Sequence, residues 1–169
     1  SDEQFVAHFR DKYDDRMPVW ALTELLELGH LSTLYRGMLQ RDSEELAHAF
    51  GVPRKKMMTS WLASMNYVRN VAAHHARLFN RKLQHAPARP TTGTIPMLDH
   101  LSAPGAPKAD FGTYNALAII AYLLQSIDLE PNWARKQADL FRAFPTSHAL
   151  TLQSVGVPED WESLDLWRV

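Results

Sequence analysis

Residues 61–82 read WLASMNYVRNVAAHHARLFNRK, and this stretch decides which fold the sequence predicts. It contains no Pro or Gly and is rich in Ala, Leu and Met, which favour helices. Together with the residues that follow Pro53, it predicts one long central helix over 53–82. On a helical wheel, we expect one apolar stripe along this helix, formed by Met58, Leu62, Met65, Ala72, Ala76 and Phe79.

Arg69 is the exception in this pattern, because it falls in the middle of the apolar stripe. A guanidinium group on a buried face is costly unless it is paired or that face opens onto a site. We therefore expect Arg69 to be largely buried and in contact with a carboxylate. Glu24, an acid within a mostly apolar segment, is the first candidate; the alternative for Glu24 is an exposed surface position.

The flanking sequence predicts further helices and no convincing strand, so we expect one all-α domain over residues 1–169. We expect the helix that begins at residue 18 to end at Gly29. Apolar residues at helical spacing, capping residues and helix-opening prolines place the helices at about 2–13, 18–28, 31–39, 44–51, 111–127 and 132–144, with short ones near 149–154 and 159–164.

Residues 84–109 form the longest segment without helical periodicity, with five prolines and two glycines. They predict a long surface loop with one helical turn near residues 97–101, and this loop could select a substrate or partner. In the tail, Trp161 and Trp167 are expected to dock on the core.

Charge is distributed unevenly along the chain. The net charge is −1, yet residues 51–90 hold eight Lys or Arg and no acid, whereas residues 1–50 carry −5 and residues 91–169 carry −4. A basic segment around a candidate site is what a polyanionic ligand needs. The alternative interpretation is a solvated basic helix face.

Several classes of function are excluded or disfavoured. The absence of cysteine rules out disulfides and thiolate chemistry and is compatible with the cytoplasm, where we expect the protein. The longest strongly apolar run, residues 116–124, is too short to span a bilayer. No phosphate-binding loop, dinucleotide motif or nucleophile elbow is present. Histidine spacing predicts no zinc site, so we expect neither a metal nor a cofactor.

The segment RNVAAHH, residues 69–75, contains the Arg-(four residues)-His pattern of the HEPN superfamily, many of whose members cut RNA. The longer string RNVAAHHARLFNR, residues 69–81, resembles the Abi-like abortive-infection proteins of bacteria. The segment GVPEDWESLDLW, residues 156–167, resembles their C-terminal end, so the resemblance extends over nearly the whole chain. A second family pattern is matched by Trp20, Glu24, Gly29, Leu31 and Ser32.

This resemblance implies a HEPN-like helical bundle and an endoribonuclease that works without a metal ion. Arg69 and His74 would be catalytic with Asn70 as their support, and the products would be a 2′,3′-cyclic phosphate or 3′-phosphate and a 5′-hydroxyl. The residues expected to bind RNA are Arg77, Arg81, Lys82, Asn66, Arg54, Lys55 and Lys56, and the supporting residues are Glu24, His75 and Asn80. Relatives usually carry an additional N-terminal region, which we expect this chain to lack.

Positions five apart on a helix lie about 140° apart, so one copy of the motif does not obviously bring Arg69 and His74 to one phosphate. The family's solution is a site shared by two HEPN units, which implies a homodimer here. Two alternatives remain open. One is a non-catalytic HEPN module that binds RNA, a nucleotide, or a phage or antitoxin-like protein partner. The other is a purely structural helical domain.

Overall fold

The computed structural model describes residues 4–13, 18, 20–22, 26–108, 110–127 and 132–168. Across these ranges the chain is helical, and its β-structure is confined to an isolated antiparallel bridge between Lys82 and Phe111, which confirms the all-α prediction. The α-helices are α1 Gln4–Tyr13, α2 Leu28–Gly37, α3 Gln40–Ala49, α4 Lys55–Ala73, α5 Tyr114–Ile127 and α6 Trp133–Arg142. The 3₁₀ helices are η1 Pro96–Ser102, η2 Leu152–Val155, η3 Trp161–Ser163 and η4 Asp165–Trp167.

Helix α4 lies at the centre of the fold and packs against α2, α3 and α5. It buries a different face from the predicted stripe: Met58 is buried as expected, but Ala72 and Ala76 are exposed. The prediction was wrong for two reasons. It assumed a helix that continues to Lys82, and it did not include the helices that pack on two sides of α4 and bury its residues there. The buried positions of α4 are Met58, Trp61, Ser64, Val68 and Val71.

Arg69 is exposed, so the prediction of a largely buried guanidinium was also wrong. The buried face passes through Val68 and Val71, and this register turns the intervening Arg69 toward solvent. Its Nη1 donates a hydrogen bond to Oδ1 of Asn70 at 2.9 Å. Glu24, its predicted partner, lies outside the described residues.

Helix α4 ends at Ala73 rather than at Lys82, and His74 is its C-cap. His75 follows with a φ of +51°, in the left-handed region. The N–H groups of His75 and Ala76 donate to the carbonyls of Ala72 and Val71, both at 3.0 Å. These two bonds form the Schellman arrangement that terminates a helix. The amino-acid composition favours a helix that continues beyond Ala73. The position after the C-cap, where glycine usually marks the end of a helix, is taken by a histidine, so the sequence gives no signal of the end.

His75→Gly should raise the free energy of unfolding by about 1 kcal/mol, because a side chain in the left-handed region costs about 1–2 kcal/mol. Urea unfolding of the variant measures this change. Ala73→Gly is the matched control, since glycine at a helical position lowers stability by about 1 kcal/mol. If both variants lose stability alike, the chain is helical through residue 75 and the assigned helix end is incorrect.

Gly29 lies inside α2 instead of ending the preceding helix, which corrects that prediction. A Cβ atom at this position would lie 3.4 Å from both Oδ1 and Nδ2 of Asn66 on α4. The absence of a side chain therefore lets α2 approach α4 closely. The preceding segment was predicted to be a buried helix over 18–28. In its described part, residues 20–22 are helical and Ala21 is buried, whereas Trp20 is 71% exposed and residues 26–27 are not helical.

The proline-rich segment 84–109 contains η1, as predicted, but it is more than a surface loop because part of it enters the core. The indole Nε1 of Trp61 donates to the carbonyl of Ala88 at 2.7 Å, and the Ala88 N–H donates to Oγ of Ser60 at 2.9 Å. These bonds join the segment to α4. Its buried side chains are Pro87, Pro90, Ile95, Leu98 and Leu101.

The tail closes the domain over α5 and α6. Trp161 and Trp167 are buried, and both rings contact that of Phe141 on α6, with centroids 5.2 and 5.3 Å away. The predicted docking of the tail is confirmed. None of the described helices is long and apolar enough to cross a membrane.

Candidate functional site

The predicted catalytic residues lie at the C-terminal end of α4. Arg69 and Asn70 are among its last five residues, joined by their side-chain hydrogen bond, and His74 caps the helix. Arg69 and His74 are exposed, while Asn70 is half-buried. The His74 N–H donates to the Asn70 carbonyl at 3.1 Å, so the backbone keeps helical spacing between these residues. The motif therefore presents a guanidinium group and an imidazole to solvent at one end of the central helix.

The chain after the helix end folds back on α4 through Arg81. Its Nε donates to Oη of Tyr67 at 2.9 Å, and its guanidinium carbon lies 5.8 Å from the centroid of the same ring. Its Nη1 also donates to the carbonyl of Arg77 at 3.4 Å. The Tyr67 ring also meets that of His85 edge-on, with centroids 5.8 Å apart. Arg81 is thus a fixed cation, whereas Arg77 is exposed.

Lys82 and Asn80 border a cleft beyond this turn. Nζ of Lys82 lies 3.0 Å from Oδ2 of Asp110, and this hydrogen bond is the main cause that lowers the pKa of the Asp110 carboxyl. Asn80 has a φ of +46°, which asparagine tolerates better than most residues. The cleft has a volume of about 580 Å³ and is lined by Asn80, Arg81, Lys82, Pro107, Lys108, Asp110, Phe111 and Gly112.

The other predicted RNA-binding residues do not join this cluster. Arg54 precedes the first turn of α4, about 20 Å along the helix axis from Arg69. The ammonium group of Lys55 already has a partner at that end, because its Nζ donates to the carbonyl of Met38 at 2.7 Å. Lys56 is exposed at the same end. Asn66 is half-buried against Gly29. The basic segment is therefore divided between the two ends of α4.

Sequence reasoning missed three roles: Tyr67 holds Arg81 in place, His85 contacts the Tyr67 ring, and Asp110 pairs with Lys82. Tyr67 and His85 could have been noticed as aromatic rings within the basic segment, which is a common composition of surfaces that bind nucleic acid. Asp110 carries no such signal, because its partner lies 28 positions earlier in the chain. The bridge between Lys82 and Phe111 brings these two segments together.

A comparison with known protein families adds an independent observation. Residues 1–80 match the family model described as Abi-like protein. The match covers 80 of the 169 residues, and over this part the chain is similar to Abi-like proteins. No curated protein and no solved structure matches the chain.

The part of the chain that matches the family model contains α1 to α4 and ends at Asn80. It includes Arg69, Asn70 and His74, together with Gly29 at the contact between α2 and α4. The resemblance noted for residues 156–167 lies beyond the matched part. The helix that carries the motif and the helix that packs beside it are therefore both within the family match.

Proposed function

We propose that this protein acts in abortive-infection defence against phage, as a HEPN-type endoribonuclease that needs no metal ion. The family match supports the defence role. The observation that supports the nuclease role is the position of Arg69, Asn70 and His74 at the accessible end of α4. They lie within residues 51–90, which hold eight Lys or Arg and no acid. RNA is the substrate that suits this charge and this motif.

The chemistry uses the nucleophile that RNA itself supplies. The 2′-OH loses its proton and attacks the adjacent phosphorus, the bond from phosphorus to the 5′ oxygen breaks, and the leaving oxygen takes up a proton. Histidine can accept or donate these protons near neutral pH. The Arg69 guanidinium stabilises the negative charge that accumulates on the phosphate oxygens, and its bond to Asn70 orients it.

Cleavage requires one group that removes a proton and another that supplies one. A homodimer formed beside the end of α4 places two His74 and two Arg69 side chains around one phosphate, so that one imidazole is the base and the other is the acid. The positive segments of the two protomers then repel each other until a polyanion lies between them. Binding of RNA therefore stabilises this arrangement.

The first test is cleavage of single-stranded RNA by the purified protein in the presence of EDTA. We expect products with a 2′,3′-cyclic phosphate and a 5′-hydroxyl, and no cleavage at a 2′-deoxy position. His74→Ala should lower the rate at least about 100-fold, the usual size of a general acid or base contribution. Arg69→Ala should also abolish most of the activity, because it removes the phosphate-stabilising charge.

His148→Ala and Arg36→Ala are the matched controls, since both wild-type residues are exposed and lie outside the motif. Their rates should equal that of the wild type. A rate that persists in His74→Ala would show that another group, or another nuclease, is responsible. Light scattering at micromolar concentration should give about twice the 19.3 kDa mass of one chain. A strict monomer would contradict the shared site.

RNA binding without cleavage is the outcome expected for the alternative function, a non-catalytic module. In that case His74→Ala leaves the affinity for RNA unchanged, and the exposed cations serve recognition only. A loss of affinity in Arg77→Ala with unchanged folding would then assign the surface to RNA. If neither RNA binding nor cleavage is detected, a nucleotide ligand, a protein partner and a purely structural role remain as interpretations.

A further inference from the structure

An exposed aromatic ring lines the basic cleft that follows the end of α4. Phe111 is 40% exposed, although the residues directly after it are buried. It lines the cleft of about 580 Å³ together with three cations, Arg81, Lys82 and Lys108. A single exposed apolar side chain is common on protein surfaces, so its neighbours decide whether it has a role.

The backbone places Lys82 next to this ring. Lys82 and Phe111 form the antiparallel bridge, and the N–H of Leu83 donates to the carbonyl of Asp110 at 2.8 Å. This bond joins the residues that flank the pair, so Lys82 and Phe111 lie directly opposite each other, with their side chains on one face and their Cβ atoms about 5 Å apart. The Lys82 side chain is 82% exposed, so a ligand can reach both the ammonium group and the ring.

The position of the ring is fixed by its surroundings. A Cβ atom at Gly156 would lie 3.7 Å from Cδ1 of Phe111, so this part of the ring lies beside the tail. The Phe111 N–H donates to the carbonyl of Lys108 at 2.9 Å, which closes a turn and keeps the two Cα atoms within about 7 Å. Lys108 is exposed. Two accessible cations therefore lie close to a ring that is already held in place.

The charge of the cleft favours an anion. Its lining residues include three cations and one carboxylate, that of Asp110, which gives a net charge of +2. Nζ of Lys82 lies 3.0 Å from Oδ2 of Asp110. The hydrogen bond from Lys82 and the nearby charge of Lys108 both lower the pKa of this carboxyl, so both ammonium groups act in the same cleft. A phosphate can therefore replace the carboxylate as the partner of Lys82.

Arg81 joins the cleft to the helix that carries the motif. Its Nε donates to Oη of Tyr67 at 2.9 Å. Tyr67 precedes Arg69 by two residues, which is about 3 Å along the axis of α4. A strand bound in the cleft can therefore extend toward Arg69 and His74. A ligand that uses both the ring and the cations carries phosphates next to flat rings, as a single-stranded nucleic acid does.

We infer that Phe111 is a stacking platform for an unpaired base of single-stranded RNA, and that Lys82 and Lys108 hold the adjacent phosphates. This inference deepens the proposed function and rests on it for the identity of the strand. Every base has a π face, so the platform accepts all four bases. Phe111 is a binding residue: it holds the strand while the motif at the end of α4 acts on it.

Stacking is tested with a labelled 2′-O-methyl oligouridine, which has no free 2′-OH and is not cut by the proposed chemistry. A matched abasic strand has the same phosphates without bases. By fluorescence anisotropy, the whole chain should bind the oligouridine at least about fivefold more tightly than the abasic strand. Phe111→Leu should remove this preference, because leucine is apolar but has no π face, and Phe111→Trp should keep it.

Leu140→Ala on α6 is the matched control, because Leu140 is 63% exposed and lies outside the cleft. It should leave the preference unchanged. Equal binding of the two strands by the wild type, or no binding of either, would overturn the inference. An unchanged preference in a folded Phe111→Leu would overturn it as well.

Two further variants test the phosphate contacts. Lys108→Ala should weaken binding of both strands to a similar degree and lower the salt dependence of binding, as the loss of one phosphate contact does. Asp110→Asn should strengthen binding, because the carboxylate that competes for Lys82 is removed. Unchanged binding in Lys108→Ala, or weaker binding in a folded Asp110→Asn, would contradict the placement of phosphates in this cleft.

The source of the base is tested with uridine monophosphate. It should bind at least tenfold more weakly than the oligouridine, and equal affinities would mean that a free nucleotide, not RNA, is the ligand. The inference and the proposed function fail separately. Base-dependent binding without cleavage of unmodified RNA would overturn the nuclease alone. Cleavage with the same KM in Phe111→Leu and the wild type would overturn the stacking platform alone.

Discussion

Gly112→Ala is expected to lower the free energy of unfolding by about 2–5 kcal/mol. Gly112 has a φ of +63°, and a Cβ atom there would lie 2.2 Å from the carbonyl oxygen of Val155 and 2.5 Å from its carbonyl carbon. Left-handed backbone costs a residue with a side chain about 1–2 kcal/mol, and overpacking adds about 1–3 kcal/mol. The clash is with backbone, so no side-chain rotation relieves it, and the contact between the start of α5 and the tail has to open.

Gly93→Ala is the matched control for this experiment. Gly93 has a φ of +81°, but a Cβ atom there would have nothing within 4 Å. Gly93→Ala should lower the free energy of unfolding only by the cost of placing a side chain in the left-handed region, about 1–2 kcal/mol. Urea unfolding of both variants followed by circular dichroism measures the difference. Equal losses would mean that the tail does not approach Gly112 as closely as described.

Trp61→Ala is expected to lower the free energy of unfolding by about 3–5 kcal/mol, the range for truncating a buried tryptophan to alanine. The Trp61 side chain has 0% exposure, and its ring lies edge-on to Tyr122 with centroids 6.0 Å apart. Its removal leaves a cavity between α4 and α5 and takes away the indole donor to the carbonyl of Ala88. That bond attaches the proline-rich segment, so the segment should become more sensitive to proteolysis.

Trp20→Ala is the control, because the same atoms are removed from a side chain that is 71% exposed. The free energy of unfolding of Trp20→Ala should fall by no more than about 1 kcal/mol, as is usual for surface substitutions. Thermal and urea unfolding give the two values, and limited proteolysis reports on residues 84–109. Comparable losses in both variants would show that α4 does not present Trp61 to the core.

The candidate site was only partly predictable from sequence. The string 69–75 identified Arg69, Asn70 and His74, because residue identity and spacing are enough to recognise a motif. The helical wheel nevertheless led to the prediction that Arg69 is buried, because the most apolar stripe of the helix was taken to be its buried face. In the folded chain α4 has neighbours on two sides, and Val68 and Val71 are the residues they cover. The acid-free segment was visible in the sequence, but its division between the two ends of α4 depends on helix length.

A cavity of about 420 Å³ lies between the proline-rich segment, α5 and the tail, with Arg89 and Asn115 among its lining residues, and it could not be found from sequence at all. Asn115 occurs in an apolar helix where an isolated amide carries little signal, and Arg89 lies within a proline-rich segment that was predicted to be at the surface. They line one cavity because Trp61 fixes that segment on α4 and because the tail packs over α5 and α6. These contacts join residues that are at least 20 positions apart in the sequence.

The sequence by itself determined that the chain is all-α, that its longest helix follows Pro53, and that its tail docks through tryptophans. These properties depend on local periodicity, on proline and on apolar area, which are present in any stretch of sequence read alone. The end of α4 at Ala73 depends on local hydrogen bonds of His75 and Ala76, which composition does not reveal. Only the tertiary structure decided that Arg69 faces solvent and that the proline-rich segment enters the core. Both outcomes depend on which surfaces meet, because the neighbours that bury a side chain are distant from it in sequence.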